Sequence, residues 1–166
     1  MKIIIKITLV IIIVVFYSLW YFLHSDLYLK NKISSSEWSS HVDVHGFDEE
    51  IEHVVIRTNT KFLPNKMYFK NSKVTLVAKD TSGTLELEFF ENGTWDIYDK
   101  YLTLNLNEIE SNPLKEFEIK DSDYKKYSYK SKSIFIRDSG LSKRVDILSR
   151  NSILLTDLNG NSRVIF

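Results

Sequence analysis

The sequence predicts an all-β domain, an antiparallel barrel or sandwich of about eight strands, behind a single N-terminal transmembrane helix. Three observations carry that expectation. An apolar run from Ile3 to Leu23 is broken only by Lys6, Thr8 and Ser18. After residue 36 the apolar residues recur with a period of two, the period of a strand. Turn-forming residues separate the alternating stretches at regular intervals.

At about 1.5 Å rise per residue, the run covers roughly the 30 Å of a bilayer's hydrocarbon core. It continues into Ser18-Leu19-Trp20-Tyr21-Phe22, too bulky for a small-x-small signal-peptidase site, and the chain has no Cys for a lipobox. An uncleaved anchor over residues 1–24 is therefore expected. A buried core helix would need a polar face, and none is present. Lys2 and Lys6 lie at the first end and favour a cytoplasmic N-terminus, with Lys30 and Lys32 weakening the bias. Tyr17, Trp20, Tyr21 and Phe22 mark the second interface. Residues 25–35 are short and polar and read as a juxtamembrane linker; residues 36–166 read as the β domain.

The strands follow in order. Trp38, Val42 and Val44 alternate with Ser39, His41 and Asp43. Val54, Ile56, Thr58 and Phe62 alternate with Val55, Arg57, Asn59 and Lys61, and Pro64-Asn65 turns the chain. Val74, Leu76 and Ala78 form the next stretch, and Asp80-Thr81-Ser82-Gly83 is a hairpin signal. Leu85, Leu87 and Phe89 face away from Glu86 and Glu88, and Glu91-Asn92-Gly93 reads as a second hairpin turn. Trp95 and Ile97, then Leu102, Leu104 and Leu106, continue the pattern. Ser122 to Ser133 reads as a short helix capped by Asp121 or Ser122, with Tyr124, Tyr127 and Tyr129 as a candidate shared side; strand or loop is the alternative. Val145–Ile147, Ile153–Leu155 and Val164–Phe166 are short strands, and Leu158-Asn159-Gly160 is a turn.

Charge and composition exclude several functions. Two of the 22 Lys/Arg residues fall in the anchor and no acidic residue does, so residues 25–166 carry 20 basic and 22 acidic residues, a net charge of −2. That is no electrostatic footprint for direct nucleic-acid binding. Without Cys there is no disulfide framework and no thiol chemistry. No Gly-x-Ser-x-Gly elbow and no glycine-rich phosphate loop occurs, so no catalytic residue is assigned and no enzyme activity is expected. His41 and His45 are four apart, but on a strand that separates them by about 13 Å, too far for one ion. No metal site and no cofactor is expected.

The inward parity leaves an apolar lining as the candidate ligand-binding surface: Trp38, Val42, Ile56, Phe62, Leu76, Leu87, Phe89, Trp95 and Leu104. A barrel of this size either fills its interior with such side chains or holds one small apolar ligand.

Four segments, in this order and behind this anchor, carry a resemblance: Ser34-Ser-Ser-Glu-Trp-Ser-Ser40; Thr58-Asn-Thr-Lys-Phe-Leu-Pro-Asn65; Glu91-Asn-Gly-Thr-Trp-Asp-Ile-Tyr-Asp-Lys-Tyr-Leu102; and Ser142 to Leu148 continuing through Leu154 to Phe166. Together they resemble the ToxS family, membrane proteins that act with the transcription regulator ToxR in Gram-negative bacteria. Residues 103–136 and the stretch from Gly46 to Glu52 match less well. The family's Leu-Pro-Asn turn usually continues with Gly; Lys66 stands there, and Asn65 is the residue able to take the left-handed conformation instead. The resemblance implies a single-pass inner-membrane protein with a periplasmic, lipocalin-like β-barrel. It implies a heterodimer with the periplasmic domain of a ToxR-like regulator, which that pairing stabilises, and sensing of bile salts in an apolar chamber. A ligand-free assembly or protease-protection partner of the regulator is the alternative.

Overall fold

A computed structural model describes residues 2–46, 51–79, 84–114 and 121–166. Helix α1 (Lys2–Leu23) leads into helix α2 (Asp26–Ser34). Eight strands follow: β1 (Glu37–His45), β2 (Ile51–Phe62), β3 (Met67–Ala78), β4 (Thr84–Tyr98), β5 (Tyr101–Pro113), then, after helix α3 (Asp121–Ser139), β6 (Lys143–Ser149), β7 (Ser152–Asp157) and β8 (Ser162–Ile165). Each strand pairs antiparallel with the next in sequence. Ser39 and Phe166 exchange two backbone hydrogen bonds of 2.7 and 3.0 Å, which bring the last strand back to the first. The sheet is thus a nearly closed barrel. Between β5 and β6 the pairing is short, limited to Tyr101–Arg144 and Leu102–Lys143. Beyond that point β5 runs on beside α3, where the Ser111 and Ser128 hydroxyls are 3.2 Å apart.

Residues 6–23 of α1 are exposed throughout, and nothing in the barrel covers them. A helix this apolar with no packed face is stable in lipid, not in water.

Residues 25–35, read as a linker, contain a helix. Ser25 caps α2 by accepting from the Tyr28 amide. Leu29 and Ile33 then reach the barrel core, together with Trp38, Phe62, Trp95 and Leu102. The Trp38 indole donates to the Ile33 carbonyl at 2.8 Å, and Lys30 meets Asp96 at 2.9 Å. So α2 closes one end of the barrel. Only two of its nine residues are buried, which is why its sequence looks like linker.

The expected turn at Glu91-Asn92-Gly93 is overturned. These residues lie inside β4, one continuous 15-residue strand, and the register shifts between Asn92 and Gly93. A Cβ on Gly93 would sit 2.1 Å from the Asn105 carbonyl oxygen and 2.8 Å from the Tyr68 ring. The glycine permits close strand approach at a bulge rather than a reversal. The reversal comes at Asp99-Lys100, where both residues have positive φ (49° and 66°) between the paired Tyr98 and Tyr101. Two positive φ values make a tight hairpin turn that suits the strand twist. The Asp26 carboxylate of α2 accepts from both turn amides at 2.8 and 2.9 Å, a tertiary contact that holds a turn lacking glycine.

The other turns vary. Gly160 has φ of 87°, and the Asp157 carboxylate accepts from the Asn159 and Asn161 amides, so the turn between β7 and β8 forms where expected. In the turn after Pro64 the left-handed residue is Lys66 (φ 66°) and not Asn65. The Asp80–Gly83 signal lies outside the described residues. Helix α3 is longer than the expected helix, and Tyr129 is exposed while Tyr127 packs inward.

Candidate functional site

The barrel interior is two apolar clusters separated by a polar belt. One cluster, under α2, includes Trp38, Phe62, Tyr68, Trp95 and Leu104. The other lies at the opposite end under α3 and includes Val54, Val74, Leu87, Phe89 and Phe135. Between them, Ser40, Thr58 and Ser72 lie on neighbouring strands, with Thr58 and Ser72 hydroxyls 3.1 Å apart. Beside them Lys70 and Glu91 form an ion pair of 2.9 Å, with side chains 4 % and 0 % exposed.

Helix α3 completes that pair. The Ser139 hydroxyl donates to Glu91 at 2.9 Å, and the Lys70 ammonium lies 5.0 Å from the centre of the Phe135 ring. A buried ion pair is tolerated where such extra partners compensate lost hydration. Nearby, burial first and the Glu91 charge second push the Tyr68 phenol up to about 12. Burial also works against ionising Asp138, but Arg163, Lys143 and Lys70 outweigh it and hold the carboxyl below its ordinary value. Lys143 bonds both the Asp138 carboxylate (3.0 Å) and its backbone carbonyl (2.7 Å), which fixes the C-terminal end of α3.

At the end away from α2, a cavity of about 700 Å³ opens between the inner face of β1–β3 and α3. One wall is aliphatic: Val42 and Val44, Val54 and Ile56, Val74 and Leu76. The opposite wall brings Ile134, Phe135 and Leu141. Its rim carries Arg137, Asp138 and Arg163 with the β7–β8 turn. Arg163 meets Asp138 at 3.5 Å, while its buried Nε has no hydrogen-bond partner. This volume is within the range of small-molecule sites, which combine apolar walls with a few placed polar groups.

Of the nine candidate lining residues, Val42, Ile56 and Leu76 line the cavity. Leu87 and Phe89 are buried behind it and pack in the cluster around Phe135. Trp38, Phe62, Trp95 and Leu104 belong to the cluster under α2, on the other side of the polar belt. Parity finds the inward face but not the position along the barrel axis. Val44, Val54 and Val74 shared the signal; Arg163 and the α3 residues had none, because a helix and a four-residue strand bring them in.

Glu86 and Glu88 face outward, as the alternation implies, with Lys73 and Asn71 as their partners. His41 and His45 do not come together, but pairing of β1 with β2 sets His45 opposite His53, and Asp43 joins them.

A family profile described as "Trans-membrane regulatory protein ToxS" matches residues 22–166. The chain belongs to the ToxS family. Two relatives bear the description "Transmembrane regulatory protein ToxS". One, from Vibrio parahaemolyticus serotype O3:K6, is 27 % identical over 163 residues, covering 92 % of this chain and 91 % of the relative. The other, from Vibrio cholerae serotype O1, is 31 % identical over 159 residues, covering 90 % and 88 %. With the exposed apolar helix α1, this makes the chain a membrane-anchored regulatory protein carrying a β-barrel.

Proposed function

We propose that this ToxS-family chain is an inner-membrane co-regulator with its barrel in the periplasm. There it pairs with and stabilises a ToxR-like transmembrane transcription regulator and with it senses bile salts. The observation that carries the ligand half of this reading is the cavity: aliphatic on the β1–β3 wall, with a buried, unsatisfied Arg163 Nε among its lining residues. A bile salt has an apolar steroid body and an anionic tail. The body would be buried against Val44, Val54 and Leu76, at about 25 cal/mol per Å² of apolar surface. The tail would accept from Arg163 and Arg137, charge-assisted bonds stronger than neutral ones. A ligand that prefers the paired state shifts pairing by that difference in affinity and no more. An apolar chamber of this size favours the ligand-binding reading over the ligand-free assembly partner, for which a filled core would suffice.

The test is calorimetric titration of deoxycholate, below its micellar concentration, into the full chain in nanodiscs, alone and with the co-expressed regulator. The expected result is tighter binding to the pair, weakened about tenfold by Arg163→Met through loss of a charge-assisted contact. It is also abolished by Val54→Trp, which fills the cavity. Equal affinity in both states removes the coupling. No binding in either leaves the assembly partner, which protection of the regulator from proteolysis then tests.

A further inference from the structure

We infer that Asp43, His45 and His53 form a surface site for a borderline divalent transition ion of the zinc class. Val42 and Val44 point into the barrel, so Asp43 and His45 between and beyond them share the outer face of β1. The register places His53 of β2 directly across from His45. One ligand atom from each of the three residues lies within 4.8 Å of the others. The Asp43 carboxylate is 3.6 Å from His45 Nε2 and hydrogen-bonds His53 Nε2. The two imidazole rings stack, 4.5 Å between centres and 11° between planes.

A tetrahedral zinc with bonds of about 2.0–2.2 Å holds its ligand atoms roughly 3.4 Å apart. Asp43 and His45, 3.6 Å apart, are near that spacing; the closer Asp43–His53 hydrogen bond opens to admit the ion, and His45, with its side chain 76 % exposed, has room to adjust. Two imidazoles and one carboxylate suit zinc or copper(II). Calcium and magnesium require more oxygen donors. Water fills the remaining position. Among the described residues Asp43 has no lysine or arginine partner, so an arriving cation displaces no existing side-chain contact of Asp43 except those with the histidines themselves. A bound ion would cross-link β1 to β2 at the end of the barrel that holds the cavity, on the outside of the wall formed by Val44 and Val54.

The test uses the full chain, purified without a polyhistidine tag, in nanodiscs and stripped with a chelator. Zinc chloride is titrated by calorimetry and cobalt(II) by visible absorption. One equivalent should bind, with cobalt bands of low-coordinate geometry. His45→Asn and His53→Asn should each weaken binding by at least about tenfold, a loss seen even for groups that only support a ligand. His41→Asn, an exposed residue further along the same strand, should leave it unchanged. Circular dichroism of each variant separates ligand loss from unfolding, and His45→Asn, at an exposed position, keeps the test decisive if His53→Asn misfolds. Absence of binding, or binding that survives both substitutions, overturns the assignment.

Discussion

Lys66 is held at φ 66° because the chain must reverse between Leu63 and Met67, whose backbones are joined by a 2.8 Å hydrogen bond. A side chain in that conformation costs roughly 1–2 kcal/mol relative to glycine. Against this, Lys66 pairs with Asp96 at 2.9 Å. That pair is solvent-exposed and worth about 0–1 kcal/mol; glycine also loses about 0.5–1 kcal/mol of chain entropy. These terms nearly cancel, so Lys66→Gly should change stability by no more than about 1 kcal/mol in urea unfolding of the full chain in non-ionic detergent. Asp96 supplies a second readout. Lys30 first and Lys66 second hold its carboxyl at about 2. A depressed carboxyl stabilises the fold above its unfolded pKa of about 3.9, and that contribution fades as pH falls towards 2. Lys66→Gly should shrink this acid-side loss. A variant clearly less stable at neutral pH would show that the pair outweighs the strained turn.

Helix α3 is tied to the sheet by charge as much as by apolar contact. Its Ser139 and Phe135 close over the Lys70–Glu91 pair, and its last turn is bonded by Lys143. Removing one member of a buried pair leaves the other charge uncompensated, a loss of about 3–5 kcal/mol. Glu91→Ala should produce it, with faster amide exchange along α3 than along β2. The double substitution Lys70→Met with Glu91→Leu removes both charges and should recover most of the stability. If Glu91→Ala leaves α3 exchange unchanged, the helix is docked by Phe135 and Tyr127 alone. The element was hard to read beforehand for the same reason: its inward stripe, Tyr127, Ser131, Phe135 and Ser139, is half serine. Those serines allow close approach and leave no apolar period to detect.

Across the whole molecule, α2 bonds the barrel at Asp26, Lys30 and Ile33 while residues 6–23 of α1 stay exposed. The anchor therefore acts on the barrel through position rather than contact. Confining two partners to one membrane raises their effective concentration, a gain of about 10²-fold or more in apparent affinity. On the proposed pairing, an unrelated single-pass helix in place of residues 2–23 should preserve regulator output in a reporter assay. Release of the barrel as a soluble domain should weaken it by about that factor. Loss of output with the exchanged anchor would add helix–helix contacts to the account.

The anchor, the antiparallel barrel and most inward residues followed from sequence alone, because hydrophobic length and a two-residue period are local properties. Family membership was also legible, from the four segments Ser34–Ser40, Thr58–Asn65, Glu91–Leu102 and Ser142–Phe166 taken together. The tertiary structure decided what parity cannot see. It set which inward residues face space and which face each other, since position along the barrel depends on register and on where α2 and α3 sit. It revealed Lys70 and Glu91 as interior, because each is acceptable inside only opposite the other. It turned Gly93 from a presumed reversal into a bulge, because the contact that requires glycine there is Asn105, on the next strand. It brought His45 to His53 across eight residues, because strand pairing, not sequence spacing, sets which side chains meet.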